Sequence, residues 1–225
     1  MSRSADKKGD VGASTPSSPH AMVEANANAR LEAFCDGVFA IALTLLIIDI
    51  RLPSMDSLGS AAELWRALQH LAPSVYAFVL SFGIILITWV NHRGTLRLVH
   101  KSSGSFIYAN GFLLLTVVFI PFPTALLGAF IWTDHAAPAV VLYDAVLAVQ
   151  AIGWLLVSGA ALRNHLLSDA RSMSTMREHK RKAYFAFTLY ALLALTALWF
   201  PVAVAIVTTL SWIFWLMLGL RMKHA

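Results

Sequence analysis

Residues Arg30 to Arg51 read R-LEAFCDGVFAIALTLLIIDI-R, and this stretch decides the fold. Between the two arginines lie 20 residues, almost all apolar. As a helix rising ~1.5 Å per residue they reach ~30 Å, the thickness of a bilayer core. The segment therefore reads as a membrane-spanning helix. It carries Asp36 less than two turns from its start, and an ionisable group inside such a helix faces protein or water rather than lipid.

The rest of the chain agrees with a membrane environment. Of 225 residues, 58% are hydrophobic and 13% charged, against ~45–50% and ~25% in soluble domains. Six apolar spans are predicted, at about 31–50, 73–90, 105–123, 138–162, 183–200 and 202–220. Pro121-Phe122-Pro123 should kink or end the third. The last two are separated only by Phe200-Pro201, and one helix from Ala183 to Leu220 would be about twice the bilayer thickness. A hairpin turning near Pro201 is the better reading. The fold class is thus all-α, a polytopic bundle of six transmembrane helices spanning residues 30–222. Residues 1–29, rich in Ser, Gly and Pro and poor in large apolar side chains, are expected to form a disordered tail.

Charge orients the bundle. All of the 17 basic residues except Arg51 and Arg66 fall in the tail, in the loops after the second and fourth spans, or at the C-terminus. By the positive-inside rule both termini are then cytoplasmic, and the first span acts as an uncleaved signal anchor. The net charge of +5 is consumed by this topology, so nucleic acid is not an expected partner; the bilayer is. In the outer loop 51–72, Leu58, Leu64, Trp65 and Leu68 suit a short amphipathic helix at headgroup level.

Two sets of residues stand out in the first span. Ile41, Leu45, Ile48 and Leu52 recur at helical spacing and share a band of ~60°, with Thr44 beside them. Such a stripe either meets lipid or a neighbouring helix, or meets copies of itself on an axis and closes a pore by excluding water. Asp36 is expected to find His92 or Asn110 on neighbouring helices, since Arg30 points ~120° away on a straight helix. That contact reads as a packing clasp or as part of a proton relay. Asp49 and Asp144 are expected at the membrane interface. Asn110, Gln150 and Asn164 suit helix–helix hydrogen bonds.

No nucleophile-and-base pattern or phosphate loop is present, so the chain does not read as an enzyme. Cys35, the lone cysteine, and the histidines lack metal-ligand spacing, and no cofactor or metal is expected.

The motif Arg30-x-x-x-Phe34-Cys35-Asp36 and the run that follows it resemble the first helix of the transmembrane protein 175 family of potassium channels, in its prokaryotic single-repeat form. Trp89-x-x-His92, and Asn110 with Leu113 to Leu115 and Pro121 to Pro123, are similar as well. The resemblance implies a homotetramer whose first helices line the pore. It also implies a hydrophobic gate at Ile41, Leu45 and Ile48, and a Thr44 layer giving modest potassium selectivity. Potassium is then the permeant ion, and no small-molecule substrate other than monovalent cations is expected. The motif residues Arg30, Phe34, Cys35 and Asp36 would pack against the second and third spans, near Trp89, His92 and Asn110. Cys35 departs from the family's serine and exchanges a good hydroxyl donor for a weak thiol donor. In a bacterium the location would be the inner membrane. The alternative function is a proton-coupled secondary transporter using Asp36 and His92, although broken midplane helices and repeats are not evident.

Overall fold

In the computed structural model, residues 19–51 and 59–221 are described, and every regular element among them is helical. In chain order these are α1 (Pro19–Leu45), continued by a 3₁₀ turn (Leu46–Asp49), α2 (Ala61–His70), α3 (Ala72–Leu98) and α4 (Gly104–Phe119). They are followed by α5 (Pro121–Phe130), α6 (Ala136–Arg163), α7 (Ala170–Thr196) and α8 (Pro201–Arg221).

Local chemistry sets the helix starts. Ser60 caps α2, accepting from the Glu63 amide at 3.3 Å while the Glu63 carboxylate accepts from the Gly59 amide at 2.6 Å, a close variant of the capping box. Ser103 caps α4 through the Phe106 amide, and Asp169 caps α7 through the Ser172 amide at 2.7 Å. Pro121 and Pro201 open α5 and α8, at the position where a missing N–H costs nothing. After α6, His165 adopts the left-handed conformation (φ 50°), and the Leu166 amide reaches back to the Ala161 carbonyl at 3.1 Å, closing the helix as a Schellman turn.

Among the described residues, four segments are long and apolar enough to cross a membrane: Asn28–Asp49, Ala72–Leu98, Gly104–Phe130 and Ala136–Arg163. The third includes both α4 and α5. Pro121 has no N–H for the Val117 carbonyl, which instead accepts from Ile120 at 3.2 Å. The chain tightens by one residue and resumes as α5, so the proline pair kinks the span without ending it. α7 and α8 form the hairpin expected at Pro201. Phe185 meets Trp215 with ring centroids 6.2 Å apart, and Tyr190 meets Ser211 at 3.2 Å, as antiparallel neighbours should. α7 opens with the basic run through Lys182 and is apolar only beyond it.

α6 is the central element, buried along much of its length from Ala136 to Ala161. Small residues let its neighbours close in: a Cβ on Gly153 would lie 3.1 Å from the Leu113 Cα of α4. Ser81 joins α3, α5 and α6 through hydroxyl contacts to Thr124 (2.6 Å) and Tyr143 (2.8 Å).

Two expectations change. Residues 19–29 continue α1 rather than forming a tail, and Asn28 donates to the Val99 carbonyl at 3.5 Å and accepts from Ser102. Residues 1–18 lie outside the described residues, as do Leu52 and Leu58. Asp144 is not interfacial. It lies more than two turns inside α6, fully buried, and accepts from Thr208 of α8 at 2.8 Å.

Candidate functional site

α1 has two faces with the same spacing and opposite fates. Cys35, Phe39, Ala42 and Leu46 step by four, three and four residues and are buried in the main core. Ile41, Leu45 and Ile48 make the complementary stripe and are 59%, 37% and 68% exposed. The 3₁₀ turn preserves their alignment, because side chains three residues apart eclipse in that geometry. Thr44 lies on the same exposed side. Its hydroxyl donates to the Ile41 carbonyl at 2.8 Å, so the proton points into the helix and the oxygen lone pairs are left facing outward. The arrangement offers an apolar ridge interrupted by one oxygen acceptor. Asp49 is exposed beyond it.

Behind the ridge, α1 is tied to α3. Trp89 donates its indole N–H to Asp36 at 2.7 Å. One turn along each helix, Arg93 Nε lies 3.7 Å from Glu32, and the Arg93 guanidinium sits 5.1 Å from the Trp89 ring centroid. Glu32 and Asp36 are four residues apart on α1, as are Trp89 and Arg93 on α3, so each pair shares a helix face. The result is a two-rung clasp.

The expected partner of Asp36 therefore changes. His92 and Asn110 bind each other instead, at 2.8 Å, joining α3 to α4. Asn110 Nδ2 donates to the Phe106 carbonyl at 2.7 Å, which makes its Oδ1 the acceptor and assigns the His92 proton to Nε2. The His92 ring is buried, with Phe39 at 5.4 Å and Trp154 at 6.3 Å between centroids. Of the motif residues, Cys35 and Asp36 face the bundle, whereas Arg30 is exposed and Phe34 is 63% exposed. Glu32 and Arg93 are missing from the expected network, although their i, i+4 relation to Asp36 and Trp89 was visible in the sequence. Asn164 bridges to Ser103 and Ser105 at 3.1 and 2.6 Å, in line with its expected helix-linking role. No cluster of three metal-ligating side chains occurs among the described residues.

The arrangement has relatives. The family described as Endosomal/lysosomal potassium channel TMEM175 matches residues 30–121, which hold the whole ridge and clasp. A protein of Chamaesiphon minutus named as a potassium channel is 36% identical over 193 residues, covering 83% of this chain and 95% of the relative. A Streptomyces collinus protein, also named as a potassium channel, is 42% identical over 135 residues, covering 57% of this chain and 64% of the other. The crystal structure of a lysosomal potassium-selective channel TMEM175 homolog from Chamaesiphon minutus superposes with a TM-score of 0.75 and 31% identity, over 86% of this chain and 98% of that one. With apolar helices long enough to span a bilayer, and with its likeness running almost the full length of a relative, this chain is a multi-pass membrane protein of the TMEM175 family.

Proposed function

We propose that the chain is the subunit of a homotetrameric potassium-permeable channel in which α1 from each copy lines the pore. One observation carries this reading: large apolar side chains of α1 are turned away from their own bundle while the opposite face is fully buried. Four such ridges meeting on an axis bury one another, and Ile41, Leu45 and Ile48 then form stacked apolar rings. A narrow apolar passage excludes water and with it hydrated ions, so the rings act as the gate. Thr44 contributes four outward lone pairs, enough to replace part of a potassium ion's hydration but fewer ligands than stacked carbonyl rings. Selectivity is therefore modest.

In the bilayer α7 and α8 add two crossings to the four longer spans, giving six, with both termini cytoplasmic by the charge asymmetry. In a bacterium the protein resides in the inner membrane. The clasp of Glu32, Asp36, Trp89 and Arg93 fixes the rotation of α1, and so decides which side chains reach the axis. A coupled carrier would need Asp36 and His92 to hand a proton on, and their separate engagement with Trp89 and Asn110 supports the channel instead.

The test is ion flux into liposomes holding the purified protein, with subunit number read by native mass spectrometry. A tetramer passing potassium down an imposed gradient without a counter-ion is the expected result. No potassium flux, or flux that demands an opposing pH gradient, ends the channel reading.

A further inference from the structure

Asp144 is the one carboxylate among the described residues that the fold encloses completely. Its Oδ1 accepts from the Thr208 hydroxyl at 2.8 Å, and its Oδ2 meets no donor among those residues. No cation pairs with it there either. The titratable groups that face it are Tyr143 on its own helix, Tyr76 from α3 and Tyr190 from α7, while α4, α5 and α8 bring none. Each phenol is already engaged: Tyr143 with Ser81 at 2.8 Å, Tyr76 with Thr209 at 2.7 Å and Tyr190 with Ser211 at 3.2 Å. An ionised carboxylate offers about four lone-pair sites and needs several donors, whereas a neutral carboxyl needs one donor at its carbonyl oxygen. The surroundings supply one. They fit the neutral acid, and taking up a proton is how an unpaired buried carboxylate escapes the cost of its charge.

A route for that proton exists on one side. A cavity of about 140 Å³ opens between α3, α6, α7 and α8 at the basic end of the bundle. By their order along the four helices, Asn91, His179 and Lys182 line its mouth, and Leu147, Tyr190 and Trp212 lie at its floor. Leu147 follows Asp144 by three residues and Trp212 follows Thr208 by four, so the carboxyl sits about one helical turn beyond the floor. The volume is several times what one water needs, and the polar mouth supplies hydrogen-bond partners. Towards the opposite end Val140, Tyr143, Val204 and Ala205 are all buried and close the bundle over Asp144.

We propose that Asp144 is a proton-binding site, its carboxyl held neutral with the proton on Oδ2 and exchanging that proton with water in the cavity. Losing the proton leaves a charge on α6 that only entering water can solvate. The contact between α6 and α8 is thus a latch held by one proton. The site lies wholly within one protomer and does not rest on the channel reading.

The experiment is infrared difference spectroscopy of the full-length protein in dodecyl maltoside, a detergent free of carbonyl groups. At neutral pH the wild-type spectrum minus that of Asp144→Asn is expected to show the C=O band of a protonated carboxyl. Thr208→Val removes the hydrogen bond to that C=O and should move the band to higher frequency, which assigns it to Asp144 even if Asp144→Asn fails to fold. In heavy water the wild-type band should shift as the proton exchanges. Ala151→Phe, which fills the cavity, should slow that shift about tenfold by leaving only local unfolding as a route. Should Ala151→Phe fail to fold, Ala186→Leu from the facing wall takes its place. As pH rises the band should disappear, and the thermal stability of the wild type should fall where that of Asp144→Asn does not. A band missing at neutral pH, or one that Thr208→Val leaves in place, overturns the proton site. Exchange that is equally fast with the cavity filled overturns the route, and identical pH profiles of stability overturn the latch.

Discussion

At the scale of single residues, the proposed pore assigns Thr44 and Ile41 separable duties. The Thr44 hydroxyl is already satisfied as a donor within its own helix, so its only remaining capacity is to accept. Thr44→Ala removes that oxygen together with its γ-methyl group and should lower the potassium-to-sodium permeability ratio in bi-ionic recordings, with total conductance retained. Ile41→Asn should raise basal current, since a polar side chain would let water into the proposed apolar ring. Behind the exposed ridge, Trp89→Phe keeps the aromatic bulk and deletes the N–H that Asp36 accepts. A hydrogen bond to a charged group is worth ~1.5–3 kcal/mol, so thermal unfolding in detergent should show a loss of about 2 kcal/mol. Asp36→Asn should cost less, because an amide oxygen still accepts. Asp36 and Trp89 were legible in the sequence as members of an inter-helix network, but their pairing was not, and Glu32 and Arg93 were left out of it. Periodicity places Asp36 and Trp89 on faces of their helices. It says nothing of the relative height and rotation of two helices, and that is what brought the indole, rather than the His92 ring, to the carboxylate.

Elements differ in how openly the sequence declared them. The α7–α8 hairpin followed from length together with Pro201, because one uninterrupted helix would be about twice the bilayer thickness and proline disfavours helix at Phe200. The kink at Ile120 followed from proline chemistry, though its outcome did not: whether a proline ends a span or bends it depends on what the freed carbonyl finds, and Val117 finds Ile120. Asp144 misled because proximity to a helix start suggests an interface, whereas Thr208 arrives from a helix far away in sequence. The start of α7 offers a pH test. Hydrogen bonds from Ser172 hold the Asp169 carboxyl below the usual range. A depressed carboxylate stabilises above its unfolded value and loses that contribution as pH falls through the folded one. Below about pH 4 the first turn of α7 should fray, read as faster hydrogen exchange over residues 170–175. Asp169→Asn keeps a capping oxygen and should remove the pH dependence.

For the whole molecule, orientation is the open quantity, and one residue makes it easy to measure. Cys35 is the lone cysteine and is buried, so cysteines introduced elsewhere report without background. In sealed right-side-out vesicles, a cysteine at Thr133 should react with an impermeant maleimide and one at Ser102 should not. The reverse pattern would invert the topology.

The two-faced first helix also limits how this protein can change over time. Exchanging one aliphatic side chain for another along the ridge leaves its direction intact. Inserting a single residue after Gly37 would turn everything beyond it by ~100°, swinging the threonine oxygen sideways and pressing isoleucines into space shaped for alanine. The helix can drift in composition but not in phase, and lineages of such chains should vary in spelling here while keeping their count.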